Sequence, residues 1–133
     1  IRWTMQEDEL DYARAKIATA SRAARLESPL DTVFIHLGVL EGLRSSSERA
    51  RNFGFQGKLC IHPEQIEPVN QVFSPSSEEI EQAQKYVDAF TAAEASGSAS
   101  IQVEGYFIDY PIVEKAQRTL DVAKAIEQSR HRV

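Results

Sequence analysis

The residues of this sequence best placed to do chemistry are Lys58, His62 and Asp109, with His36 and Cys60 beside them. His62 closes an apolar run, Gly57-Lys-Leu-Cys-Ile-His-Pro63, that predicts a short strand stopped by proline. If that strand lies parallel to a neighbour, His62 occupies the end at which barrel and doubly wound enzymes place binding groups. A plainer role is open as well, that of a histidine bonded to the backbone and fixing the turn. Lys58, at the start of the same strand, can meet an anionic group or simply be solvated. Asp109 follows Tyr106-Phe-Ile108 and precedes Tyr110-Pro111, so an apolar strand delivers it to the mouth of a helix. There it can cap the helix. It can also serve as a carboxylate in a dry pocket, tuned for proton transfer, and the two roles can coexist. His36 lies within Asp31-Thr-Val-Phe-Ile-His-Leu37, and Cys60 lies between Leu59 and Ile61. Both read as core residues before they read as ligands.

The elements that must position these groups are legible as periodic runs. Thr4-Met-Gln-Glu7 has capping-box spacing, and Leu10, Ala13, Ile17, Ala20 and Ala24 recur at helical intervals behind it. Ser28-Pro29 ends that helix. The stretch Asp31–Leu37, β-branched and aromatic with almost no polar alternation, predicts a strand buried on both faces. Leu40, Leu43, Ala50 and Phe53 mark a second helix, with Gly54 as a left-handed cap. Strand, helix and strand in that order form a βαβ unit, so the two strands should be parallel. A short helix follows from Gln65 to Phe73, with Pro63 near its start.

Ser76-Ser-Glu-Glu79 offers a second capping box, and Ile80, Ala83, Tyr86, Val87 and Phe90 carry its helix to about Ala95. Ser96-Gly-Ser98 breaks the pattern. Glu104-Gly105 between Ile101–Val103 and Tyr106–Ile108 is a hairpin signal. Val113, Ala116, Leu120, Ala123 and Ile126 line the buried face of a last helix. Two parallel strands alone would leave both sheet edges bare, so the unit calls for further strands.

Composition narrows the function classes. The chain has 133 residues, 42% apolar and 26% charged, as expected for one globular domain with a real core. A net charge of −5 with scattered basic residues argues against a nucleic-acid surface. No apolar run reaches bilayer length. One cysteine permits neither an internal disulfide nor a cysteine-based zinc site. The acidic groups Glu7-Asp8-Glu9 with Asp11, and Glu78-Glu79 with Glu81, suit exposed helix starts rather than metal sites. No GxGxxG, Walker A, HExxH or GxSxG pattern is present. The opening Ile1-Arg-Trp3 has no initiator Met and no signal pattern, and the expectation is a chain entered in mid-domain.

Several motifs, in order, carry a resemblance. Gly54-Phe-Gln-Gly-Lys-Leu-Cys-Ile-His-Pro-Glu-Gln65, with Val69-Asn70 and Phe73-Ser-Pro-Ser76, resembles the eighth-strand region of citrate lyase β-subunit-like and malyl-CoA lyase proteins. Leu40-Glu-Gly-Leu-Arg44 resembles the start of the preceding helix, and Phe107-Ile-Asp-Tyr-Pro111 resembles the C-terminal segment of that family.

The resemblance implies an α/β fold: the last two parallel strands and helices of a TIM barrel over residues 1–74, then a helical and hairpin appendage over 75–133. It implies an Mg²⁺-dependent carbon–carbon lyase acting on a malyl-, methylmalyl-, citramalyl- or citryl-thioester of CoA. The Mg²⁺ ligands are then expected upstream of Ile1, with none in this segment. Asp109 matches the family's acid/base aspartate, which reaches over a neighbouring subunit. His62, Pro63 and Lys58 match the strand-eight motif and would shape the substrate or CoA side of the site. The implied protein is a homo-oligomer, a trimer or hexamer, of the cytoplasm or the mitochondrial matrix. One departure stands out: His36-Leu-Gly-Val39 occupies a stretch where many relatives carry acidic residues. A non-catalytic fragment or assembly subunit is the alternative.

Overall fold

The computed structural model describes residues 3–130. The chain divides between Phe73 and Ser74 into two compact units.

In the first unit, a short 3₁₀ turn at Asp8–Leu10 leads into α1 (Asp11–Ala23), followed by β1 (Leu30–Asp31), α2 (Leu40–Asn52), β2 (Gly57–Lys58) and α3 (Ile66–Phe73). The two strands are parallel, with Leu30 opposite Gly57 and Asp31 opposite Lys58. This is the expected βαβ unit, with α2 as its crossover. Its ladder is much shorter than the apolar runs predict, ending one rung past β2 at the bond from Leu59 N–H to the Asp31 carbonyl, 3.0 Å. Burial on both faces is likewise not found among the described residues: Phe34 is sealed, while Ile35, Leu37, Leu59 and Ile61 are exposed. The reason is that among the described residues no further strand flanks the pair to cover those side chains.

The core of this unit is Phe34, Leu43 and Val69, with Phe73 packed against them. Burying side chains of this size contributes about 1.5–3 kcal/mol each. Gly42 is what lets α2 approach so closely, since a Cβ there would lie 2.9 Å from Phe34 Cζ. The end of α2 is a Schellman cap. Gly54 takes φ +97°, its N–H bonds Arg51 O, and Phe55 N–H reaches back to Ala50 O.

α1 departs from expectation. Ala13, Ile17, Ala20 and Ala24 are exposed, and the helix's one buried residue is Arg14. A guanidinium needs partners before it can be buried, and those partners orient this helix. α1 also ends at Ala23, ahead of Ser28-Pro29, because Arg25 adopts φ +57° and Leu26 N–H closes onto Ser21 O.

The second unit comprises α4 (Ser77–Ala95), the hairpin β3 (Ile101–Val103) and β4 (Tyr106–Ile108), and α5 (Tyr110–Arg130). Ser76 and Glu79 form the full capping box at the head of α4. Glu104 and Gly105 have φ of +50° and +87°, the pair of positive values a type I′ turn needs. Val103 therefore pairs with Tyr106, and Ile101 with Ile108. Ala83, Phe90, Ile108 and Ala116 are the buried apolar residues of this unit. Among the described residues no helix is long and apolar enough to cross a membrane.

Candidate functional site

His62 stands where the parallel pair ends. It is the extended residue ahead of the 3₁₀ turn Pro63–Gln65, and its Nδ1 accepts from Glu64 N–H at 3.3 Å. Pro63 opens that turn and is exposed. Glu64 Oε2 also lies 3.6 Å from Nδ1, an ion pair only if the ring is charged. In the neutral ring this bond favours a proton on Nε2, since the Nδ1 lone pair accepts from the backbone N–H. His62 thus presents an N–H donor from a side chain that is 43% exposed.

Gln65, which sequence reasoning passed over as the start of a helix, is 3% exposed and ties this end together. Its Oε1 accepts from Ile61 N–H and its Nε2 donates to Phe34 O, both at 2.9 Å. His36, Val39, Leu43, His62, Glu64 and Gln65 are among the residues lining a narrow recess of about 10 Å³. That is the volume of one water at most. The His36 ring meets Phe34 edge to face at 5.3 Å, and its Nε2 is buried without a partner. His36 is therefore half-buried rather than a satisfied core residue, with one polar atom left without a partner. Cys60 is exposed rather than in the core, because the strand end it sits on is uncovered. Burial of the sulfur nevertheless raises its pKa, against the opposing charge of Lys58.

Lys58 is neither solvated nor offered to a ligand. Its ammonium is fully enclosed and lies 2.7 Å from Asp31 Oδ2. Arg14 holds the same carboxylate through Nε at 3.1 Å and Nη2 at 2.8 Å, and reaches Glu7 at 2.5 Å. Ser46 donates to Glu7 at 2.6 Å. Burial pushes the Asp31 pKa up, but the bonds and charges of Arg14 and Lys58 outweigh it and hold the carboxyl below its ordinary value. Burial likewise opposes the Arg14 charge, and the bonds to Asp31 and Glu7 more than compensate.

Glu7 corrects a second expectation, since it is 1% exposed rather than part of a solvated acidic face. Thr4 does cap Glu7 N–H at 3.2 Å, but the acid that bonds back to Thr4 is Glu9. With φ +55°, Glu7 turns inward instead. An acidic run carries no signal saying which member will be buried. The network is built on Asp31 and Lys58, the last residues of β1 and β2, and it pairs its charges with one another rather than presenting them to solvent.

Asp109 belongs to the second unit and is half-buried. Its Oδ1 accepts from Ile112 N–H at 3.3 Å, so it does cap α5. Tyr110 beside it packs edge to face on Phe90 at 5.0 Å and bonds Glu94 at 3.0 Å. Tyr106, Phe107 and Tyr110, near Asp109 in the chain, are exposed aromatic side chains. Among the described residues no group of three or more His, Cys, Asp or Glu side chains could hold a metal ion.

Comparison with known proteins places this geometry. Residues 1–63 match the family model HpcH/HpaI aldolase/citrate lyase. Citrate lyase subunit beta of Leuconostoc mesenteroides subsp. cremoris is 41% identical over 117 residues, covering 88% of this chain and 38% of that protein. Human mitochondrial citramalyl-CoA lyase is 35% identical over 127 residues, covering 94% of this chain and 37% of that one. The crystal structure of CitE from Mycobacterium tuberculosis, in complex with magnesium, acetoacetate and coenzyme A, has a TM-score of 0.71 at 30% identity. That superposition covers 89% of this chain and 42% of that one. The chain spans 38% and 37% of the two curated relatives' lengths. Its fold is the C-terminal part of a TIM-type barrel, two parallel strands and their helices, with a helical and hairpin appendage. The chain belongs to the HpcH/HpaI aldolase/citrate lyase family.

Proposed function

We propose that this chain supplies the C-terminal part of an Mg²⁺-dependent carbon–carbon lyase. Its substrate is a malyl-, methylmalyl-, citramalyl- or citryl-thioester of CoA, and its products are acetyl-CoA or a similar thioester and a keto acid. The observation that carries this reading is the match along most of the chain to a citrate lyase subunit, to a citramalyl-CoA lyase and to a CitE structure holding magnesium, acetoacetate and coenzyme A. In this reading the magnesium ligands come from sequence outside these 133 residues. The proposed protein is a homo-oligomer, trimer or hexamer, with its exposed Tyr106, Phe107 and Tyr110 turned to a neighbouring subunit. It works in the cytoplasm or the mitochondrial matrix.

Cleavage of this kind breaks the bond between the carbon next to the thioester and the carbinol carbon. The carbinol hydroxyl gives up its proton as its carbon becomes the keto carbon, the electron pair of the broken bond is left on the thioester side, and that carbon takes up a proton. Asp109 is assigned the proton transfer. His62, through Nε2–H, is assigned a hydrogen bond to the substrate or its CoA portion, with Pro63 shaping the turn that presents it. Lys58 is assigned no contact with substrate: enclosed against Asp31, it supports the strand that leads to His62.

Asp109→Asn in the intact protein tests the assignment. Asparagine caps helices as well as aspartate does, so the fold should be kept. Turnover of malyl- and citramalyl-CoA should fall by roughly a hundredfold or more, with KM changed by less than about threefold. Equal loss of both, or no loss, sinks the Asp109 assignment. The absence of a metal cluster among the described residues favours a second reading, a non-catalytic or assembly subunit. It requires that no Mg²⁺-dependent turnover appears with these 133 residues unless an N-terminal piece is added.

A further inference from the structure

We infer that Gln65 is the positioning residue of the His62 end of the site, an inference that rests on the reading of His62 as the group that faces substrate. Parallel strands bond in evenly spaced rungs, and the last rung here joins Leu59 N–H to Asp31 O at 3.0 Å. A continued ladder would next pair Ile61 N–H with the Val33 carbonyl. Instead Ile61 N–H bonds Gln65 Oε1, and Gln65 Nε2 bonds the Phe34 carbonyl, each at 2.9 Å. A side-chain amide has been inserted as a wider rung. It holds the two strand ends apart by its own width, yet keeps both backbone groups satisfied.

The position of this rung gives it consequences. Ile61 directly precedes His62, and Phe34 lies two residues before His36. Gln65 N–H also returns to the His62 carbonyl at 3.0 Å, closing the turn from the other side. His62 is therefore held by one residue through the N–H of the residue before it and through its own carbonyl. That leaves its ring free to set tautomer and direction by the single bond from Glu64 N–H. Gln65 is 3% exposed, so a substrate does not touch it, and its effect must pass through His62. A buried amide bonded at both ends is expensive to replace with anything that bonds at neither.

The experiment is a double-mutant cycle in the intact protein. Gln65→Met keeps length and volume and removes both bonds. Gln65→Asn, too short to span both partners, is read in the same way if Gln65→Met cannot be purified folded. The expected loss in kcat/KM toward a CoA thioester substrate is about tenfold for Gln65→Met. Gln65→Met combined with His62→Ala should fall no more than about twofold below His62→Ala alone. Full multiplication of the two single losses would overturn the inference, since Gln65 would then act independently of His62.

A second readout separates this inference from the proposed function. Imidazole ¹⁵N signals of His62, assigned by their absence in His62→Ala, should show Nε2 protonated in the parent and a mixed tautomer in Gln65→Met. Unchanged signals in Gln65→Met would overturn the positioning role. A parent protein inactive on every CoA thioester would end the proposed function, and the nitrogen signals would still decide whether Gln65 orients His62.

Discussion

Lys58 and Asp31, opposite each other across the two parallel strands, form an ion pair of 2.7 Å with neither side chain open to water. The ladder that joins these strands is short, so side-chain pairing does much of the work of holding them in register. Arg14 brings α1 to the same carboxylate and Glu7 balances the charge, giving two acids and two bases in one buried group. Removing one member of such a group leaves an uncompensated charge, typically at a cost of about 3–5 kcal/mol. Asp31→Asn strips Lys58 of its partner and should fall in that range. Lys58→Met leaves Asp31 still bonded twice by Arg14 and should cost less. Urea denaturation followed by fluorescence of Trp3, the chain's one tryptophan, gives both values, and the reverse order would refute this account of the network.

The same carboxylate gives the first unit a defined acid sensitivity. The native pKa of Asp31 lies below its ordinary value, so the unfolded chain takes up the proton first as pH falls. The stabilisation is complete above the unfolded pKa of about 3.9 and is lost as pH drops through the lower native value. Urea midpoints should hold from about pH 7 to 5 and decline below about pH 4. In Asp31→Asn the decline should be shallower, starting from a lower plateau. An unchanged slope in the variant would mean that other acids carry the effect.

Local rules are what made much of the fold legible in the sequence. Ser76 and Glu79, Gly54, Glu104-Gly105 and Asp109 each settle a cap or turn with partners a few residues away, and each lies where its spacing predicts. The buried groups behave differently. Glu7 bonds Ser46 and Arg14 bonds Asp31 across 39 and 17 residues, and Gln65 finds Phe34 across 31. Neither periodicity nor residue type marks such partners, because only the tertiary path brings them together. The apolar stripe of α1 misled for a related reason. Spacing says that a face will be buried, but not whether the surface that buries it lies among these residues.

Cys60 combines exposure with a thiol that is hard to ionise, since burial of the sulfur raises its pKa more than Lys58 lowers it. Reactivity follows the thiolate rather than the thiol. A disulfide reagent at pH 7.5 should therefore label Cys60 several-fold more slowly than free cysteine. Lys58→Met removes the charge that favours the thiolate and should slow it further. Labelling faster than free cysteine would contradict this environment.

Gly105 tests whether the hairpin is what delivers Asp109. Its φ of +87° belongs to the left-handed region, where a Cβ costs roughly 1–2 kcal/mol. Nothing crowds the position, so Gly105→Ala isolates the backbone effect from any clash. The register of Val103 with Tyr106 and Ile101 with Ile108 depends on this turn, and β4 runs almost directly into Asp109 and α5. Amide hydrogen exchange in the intact protein should show about tenfold or greater loss of protection at the hairpin rungs, the ratio that roughly 1.4 kcal/mol produces. The middle of α4, held by its own ladder and by the Ser76–Glu79 cap, should be unaffected. Uniform loss through both α4 and the hairpin would mean that the second unit opens as one body. The turn would then have no separate hold on where Asp109 stands.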